Sequence, residues 1–210
     1  GYEQIWKDYM ALVGYVDYEV GRLLAALKAL GLEKDTIVLF SSDHGRALGE
    51  TGQLSGKNTF NEQVWCVPFV WHWPGYVPEG VVREDLCELI DTGRTLAGLA
   101  GIVDRAPEAW RGRDLFAGTI LPPEEQVVFG EIGWPNTSAA VLQLEPIKKY
   151  RDKNKHIFNA YRSMRLMRVG VRTQQYRMDL TWMDDGRRLP LSEADGNLID
   201  LQADPLEEQN

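Results

Sequence analysis

The sequence predicts an α/β fold with a small antiparallel sheet attached towards its C-terminal end. Three observations point there: a helical apolar period that runs straight into a buried-strand pattern, a second apolar run broken by proline, and a change of character beyond about residue 125. Within residues 7–30, Val13, Val16, Val20, Leu23, Leu24, Leu27 and Leu30 recur mostly at three- and four-residue steps, which is one face of an amphipathic helix. Gly31 follows as the residue that ends such a helix in a left-handed conformation without steric cost. Residues 36–40, Thr-Ile-Val-Leu-Phe, then form a continuous β-branched and aromatic run of strand length. The lack of alternation predicts a strand covered on both faces, as in a parallel sheet between helices.

A second apolar run spans residues 64–71 and contains Pro68, which favours the edge or start of a strand because it cannot donate to a ladder. Pro74-Gly75 marks a turn. Asp91 is placed to cap a helix through Leu96 and Leu99 to Gly101, with Ala97, Gly98 and Ala100 allowing close packing. Residues 106–123, rich in Pro and Gly, read as connector. Beyond that, residues 127–129, 161–169 and 175–182 read as strands, with Asp184-Asp185-Gly186 as a turn. The basic stretch 148–155 reads as a solvated face.

Composition narrows the function. Lys plus Arg is 23 and Asp plus Glu is 31, a formal net charge of −8. Such an acidic chain has no general attraction for nucleic acid or anionic lipid, so an anionic substrate needs a local site that works against the overall field. No apolar run reaches the roughly 18 residues of a membrane span, and no signal peptide is visible, which leaves the compartment open among periplasmic, secreted and cytoplasmic. Cys66 and Cys87 make neither a disulfide framework nor a zinc-ribbon spacing and read as packed thiols. Gly1 at one end and the polar residues 207–210 at the other suggest that both ends are cuts in a longer protein.

The chemistry-bearing residues follow the first strand, in Ser41-Ser42-Asp43-His44-Gly45-Arg46. Ligands of open α/β sheets gather at the carboxyl ends of strands. A carboxylate beside an imidazole suits a divalent metal. A bare Asp-His-Gly triplet is, however, ordinarily a capped turn with an exposed histidine. Lys57, 14 residues after Asp43, could reach an anionic oxygen. His72, flanked by Trp71 and Trp73, reads as structural, and His156 as solvated. The aromatic residues Trp65, Trp71, Trp73 and Tyr76 read as core and rim rather than as a sugar platform, and Asn136-Thr137-Ser138 as a chance glycosylation triplet.

In order along the chain, several segments resemble the later part of a sulfatase, in the alkaline-phosphatase-like superfamily. They are Tyr15-Val16-Asp17 with Val20-Gly21-Arg22-Leu23-Leu24, residues 35–45 through Ser42-Asp43-His44-Gly45, Gly56-Lys57, Val67-Pro68-Phe69-Val70 to Trp73-Pro74-Gly75, Asp91 to Ile102, Val169 to Arg177, and finally Asn197 to Leu201 with Asp204-Pro205 and Glu207-Glu208-Gln209-Asn210. The resemblance implies part of a large mixed sheet flanked by helices over residues 1–124 and a small C-terminal antiparallel-sheet subdomain over residues 125–210. It implies water-driven cleavage of a sulfate ester by a formylglycine nucleophile, with a metal neutralising the non-bridging oxygens. Carried over, Asp43 and His44 are metal ligands and Lys57 contacts the sulfate or leaving-group oxygen. Arg46 is either a substrate-anion contact or an exposed loop charge.

The nucleophile is expected upstream of this chain. Cys66-Val67-Pro68-Phe69-Val70 begins like the modification motif but has Val70 where Arg belongs, and Cys87 fits no better. The chain alone is therefore expected to be inactive, needing the N-terminal part of the same enzyme as its partner. Calcium is the leading metal on family grounds, although the imidazole of His44 is more natural for manganese or zinc. The expected substrate is a sulfate-ester small molecule or carbohydrate. The alternatives are a phosphonate monoester or phosphodiester hydrolase on the same scaffold, and a non-catalytic binding module.

Overall fold

The computed structural model describes residues 2–50, 59–118, 120–132, 167–184, 187–188, 190, 196–205 and 207. The chain divides after Pro122 into two compact units, Gly1–Pro122 and Pro123–Asn210. The architecture is mixed α/β, as the sequence predicts, with antiparallel pairing throughout the described sheets.

The first unit opens with helix α1, Tyr2–Ala29, closed by Gly31 at φ 70°. None of its side chains is buried, so the apolar stripe of Val13, Val16 and Leu23 faces solvent within this chain. A short 3₁₀ turn leads to strand β1, Val38–Ser41, which pairs antiparallel with β2, Phe69–His72. Neither face of β1 is closed off, contrary to the double cover expected from its unbroken apolar run. Apolar composition fixes what a strand is fit to bury, but cover depends on elements packed against it, and here a two-stranded ribbon provides little.

Between the two strands, Glu62–Trp65 forms the single-turn helix α2, where the apolar run had suggested strand from residue 64. Pro68 lies immediately before β2, at the position its missing N–H favours. Gly75 takes φ 83° in the turn after β2. The third helix, α3, runs Asp91–Leu99, and Asp91 is its first residue rather than its cap. The Asp91 carboxylate instead accepts from the backbone N–H of Glu88 at 2.9 Å and of Arg113 at 2.7 Å, tying the helix to segments on either side. Thr95, fully buried, adds a second tie: its hydroxyl accepts from Leu115 N–H at 3.1 Å and lies 3.3 Å from the Arg113 carbonyl.

The described residues of the second unit form a five-stranded antiparallel sheet in the order β3 (Val128–Ile132), β4 (Met167–Arg172), β5 (Tyr176–Asp184) and β6 (Arg187–Arg188), with β7 (Gly196–Asp200) also paired to β5. The register places Phe129, Val171, Met178 and Leu198 in one cross-strand row, and Arg172, Arg177 and Ile199 in the row on the opposite face. Phe129 and Leu198 are exposed, whereas Arg177 and Asp179 are buried. The expected turn at residues 185–186, the strand residues 161–166 and the basic stretch 148–155 lie outside the described residues.

Candidate active site

Strand β1 delivers Ser42, Asp43 and His44 at its carboxyl end. The loop that carries them is seated by its backbone. The Gly45 N–H donates to the Val64 carbonyl of α2 at 2.7 Å. A Cβ at Gly45 would stand 2.0 Å from the Gln63 carbonyl oxygen, so no side chain fits there. The next residues, Ala47 and Leu48, are among the most buried of the unit, together with Phe60 and Val64. Phe60 packs edge-on against Trp65 at 4.9 Å between centroids. At the loop's far end the Leu48 N–H donates to a Glu50 carboxylate oxygen at 2.6 Å.

On this base the two ligand-type side chains converge. Asp43 Oδ2 and His44 Nε2 lie 3.5 Å apart, with the Asp43 side chain 84% and the His44 side chain 39% exposed. Each is oriented by local hydrogen bonds. Asp43 Oδ1 accepts from the His44 backbone N–H at 3.0 Å, which turns Oδ2 outward. His44 Nδ1 lies 2.9 Å from the Gly45 carbonyl oxygen; because a carbonyl only accepts, Nδ1 is the donor in that contact, which leaves Nε2 as the ring nitrogen facing Asp43. Ser42 Oγ donates to the His44 carbonyl at 2.9 Å, bracing the His44–Gly45 peptide that follows the two ligands. This oriented pair of one carboxylate oxygen and one imidazole nitrogen fits a divalent cation as a partial donor set. Among the described residues, no group of three or more His, Cys, Asp or Glu side chains gathers around a single point.

Lys57 lies outside the described residues. Arg46 is exposed on the site loop. His72 is removed from the site, its Nε2 3.7 Å from Glu33 Oε1 beside the start of β1, and His156 lies outside the described residues. Cys66 and Cys87 are both exposed, not packed. The short strands and loops that hold them offer no closed core; although the Cys87 residue is exposed, partial desolvation of its thiol raises the pKa, with Asp91 and Asp85 adding to the effect. Trp73 stacks on the exposed Tyr76 at 4.0 Å and donates to the Lys34 carbonyl, which puts this pair on the rim. The bracing hydroxyl of Ser42 and the α2 backbone under Gly45 were not legible as site components; the one sequence signal was the glycine itself.

Comparison with known proteins identifies the family. Residues 2–102 match the sulfatase family model. The chain is 30% identical over 174 residues to an endo-4-O-sulfatase of Bacteroides thetaiotaomicron, a match covering 83% of this chain and 32% of that protein. It is 29% identical over 255 aligned positions to human iduronate 2-sulfatase, covering 99% of this chain and 44% of the relative. A solved structure of a protein in complex with its substrate D-glucosamine-2-N,6-O-disulfate superposes with a TM-score of 0.70 at 22% identity, over 98% of this chain and 36% of that one, which establishes likeness of fold. The chain thus spans less than half the length of these relatives. It belongs to the sulfatase family.

Proposed function

We propose that the polypeptide carrying this chain hydrolyses sulfate esters, and that this segment contributes two metal donors and part of the sulfate site. The observation that carries the reading is the convergence of Asp43 Oδ2 and His44 Nε2 on a loop whose backbone is locked against α2. Asp43 and His44 would hold a divalent cation, calcium in the leading reading and manganese or zinc as the alternatives that imidazole ligation favours. Such a cation supplies charge neutralisation at the non-bridging sulfate oxygens. Lys57 would contact the sulfate or the leaving-group oxygen, placing a positive charge where negative charge develops, and Arg46 is a second candidate contact for the anion. The formylglycine nucleophile belongs to the part of the enzyme outside this chain. A sulfated carbohydrate is the proposed substrate class, supported by the relatives named for sulfated sugars.

The test compares hydrolysis of 4-nitrophenyl sulfate with that of bis(4-nitrophenyl) phosphate and a phenylphosphonate monoester by the complete polypeptide. A clear preference for the sulfate ester is expected. Preference for either phosphorus ester would replace the reading with the phosphodiesterase or phosphonate hydrolase alternative. No turnover of any of the three, with metal bound, would favour a binding module.

A further inference from the structure

The second unit holds a continuous, largely buried chain of charges. Arg177 and Asp179 sit on β5, each 2% exposed, and Arg177 Nη1 donates to Asp179 Oδ1 at 2.9 Å. Arg168, from β4, donates to the other oxygen of the same carboxylate. Arg177 Nη2 donates to Glu207 Oε2 at 2.7 Å, and the Glu207 side chain has no exposed surface. Two cations and two carboxylates therefore alternate in the order Arg168, Asp179, Arg177, Glu207, and their formal charges cancel.

The last member comes from outside the sheet. After β7, Asp200 starts a pair of turns: its Oδ1 accepts from the Gln202 N–H at 3.0 Å, and its carbonyl accepts from the Ala203 and Asp204 N–H groups at 3.1 and 2.8 Å. Leu201 is buried and its N–H donates to the Gln175 carbonyl at 2.8 Å. The Glu207 N–H then donates to the Asp204 carbonyl, and Glu207 takes φ 57°, the only non-glycine residue with positive φ among those described. A left-handed conformation is unfavourable for glutamate and persists only where its surroundings hold it.

We propose that these four side chains form a clasp that locks the C-terminal segment onto β5, so that seating the tail completes the charge balance of this four-membered chain. Without Glu207, Arg168 and Arg177 share the single carboxylate of Asp179, leaving one excess positive charge in a largely buried group, which an opened tail would relieve by admitting solvent. The clasp is independent of the proposed sulfatase activity and concerns this chain's own folding.

Hydrogen exchange followed by mass spectrometry on the complete polypeptide and its Glu207→Gln variant tests the proposal. At least tenfold faster exchange is expected in peptides covering residues 201–207 and β5. Exchange within twofold of wild type would overturn it. The Arg177→Met/Glu207→Met variant supplies a second reading: removing both partners should restore much of the tail protection, or the folded yield should Glu207→Gln fail to fold. If the double variant is no better than the single ones, the residues act separately and the clasp is wrong.

Discussion

The two units use charge in opposite ways. In the first, the backbone beneath the Asp43–His44 loop is buried and the polar side-chain tips reach solvent. In the second, Arg177, Asp179 and Glu207 are themselves buried and an apolar row that includes Phe129 and Leu198 is partly left outside. A charge in water costs nothing to keep ionised and is free to meet a cation or an anion; a buried one must be neutralised by partners and is committed to them. The difference separates groups available for chemistry from groups that specify the fold.

The contrast breaks most easily at Gly45. Gly45→Ala drives a methyl group into the Gln63 carbonyl and should cost about 3 kcal/mol or displace the loop, read as a lowered thermal midpoint. An unchanged midpoint would mean that the loop is not seated on α2. A smaller loss, about 1–2 kcal/mol, is expected for Thr95→Val, which keeps the volume but strands the Leu115 N–H. Denaturant unfolding would measure it, and a loss under about 0.5 kcal/mol would show that water replaces the hydroxyl.

Smaller still is the Arg83–Asp85 pair, whose nitrogen and oxygen lie 2.6 Å apart. The hydrogen bond to Arg83 holds the Asp85 carboxyl pKa below its ordinary value against the opposing effect of desolvation. A lowered folded-state pKa stabilises the fold above the unfolded carboxylate value, and that stabilisation is lost as pH falls through the folded value. Comparing wild type with Asp85→Asn by denaturant unfolding from pH 7 downwards should give a gap below about 1 kcal/mol, because Arg83 is partly solvated. The gap should shrink only below the ordinary carboxylate range; a gap that grows on acidification would reverse the assignment.

Much of the first unit was legible because its signals are local. The period of Val13, Val16 and Val20, Gly31 after α1, Pro68 before β2 and the turn at Gly75 each follow from one residue's own geometry. Val64-Trp65 was misread because a short apolar run suits a strand and one helical turn alike. Asp91 was misread because its partners, Glu88 and Arg113, are set by tertiary packing. In β5 the alternation Arg177, Met178, Asp179, Leu180 states which side chains share a face but not which face is covered, and here the charged face is the buried one. At the candidate site the ligand types were readable from Asp43-His44-Gly45, whereas the His44 ring orientation and the Ser42 brace depend on backbone conformation.

The most direct measurement is the metal content of the complete polypeptide and of its Asp43→Ala and His44→Ala variants, by inductively coupled plasma mass spectrometry after equilibration with calcium, manganese or zinc. Both exposed side chains should be removable with little loss of thermal stability in the metal-free state. Loss of bound metal in both variants, with folding retained, is the predicted result. Wild-type metal content in folded Asp43→Ala would contradict the account.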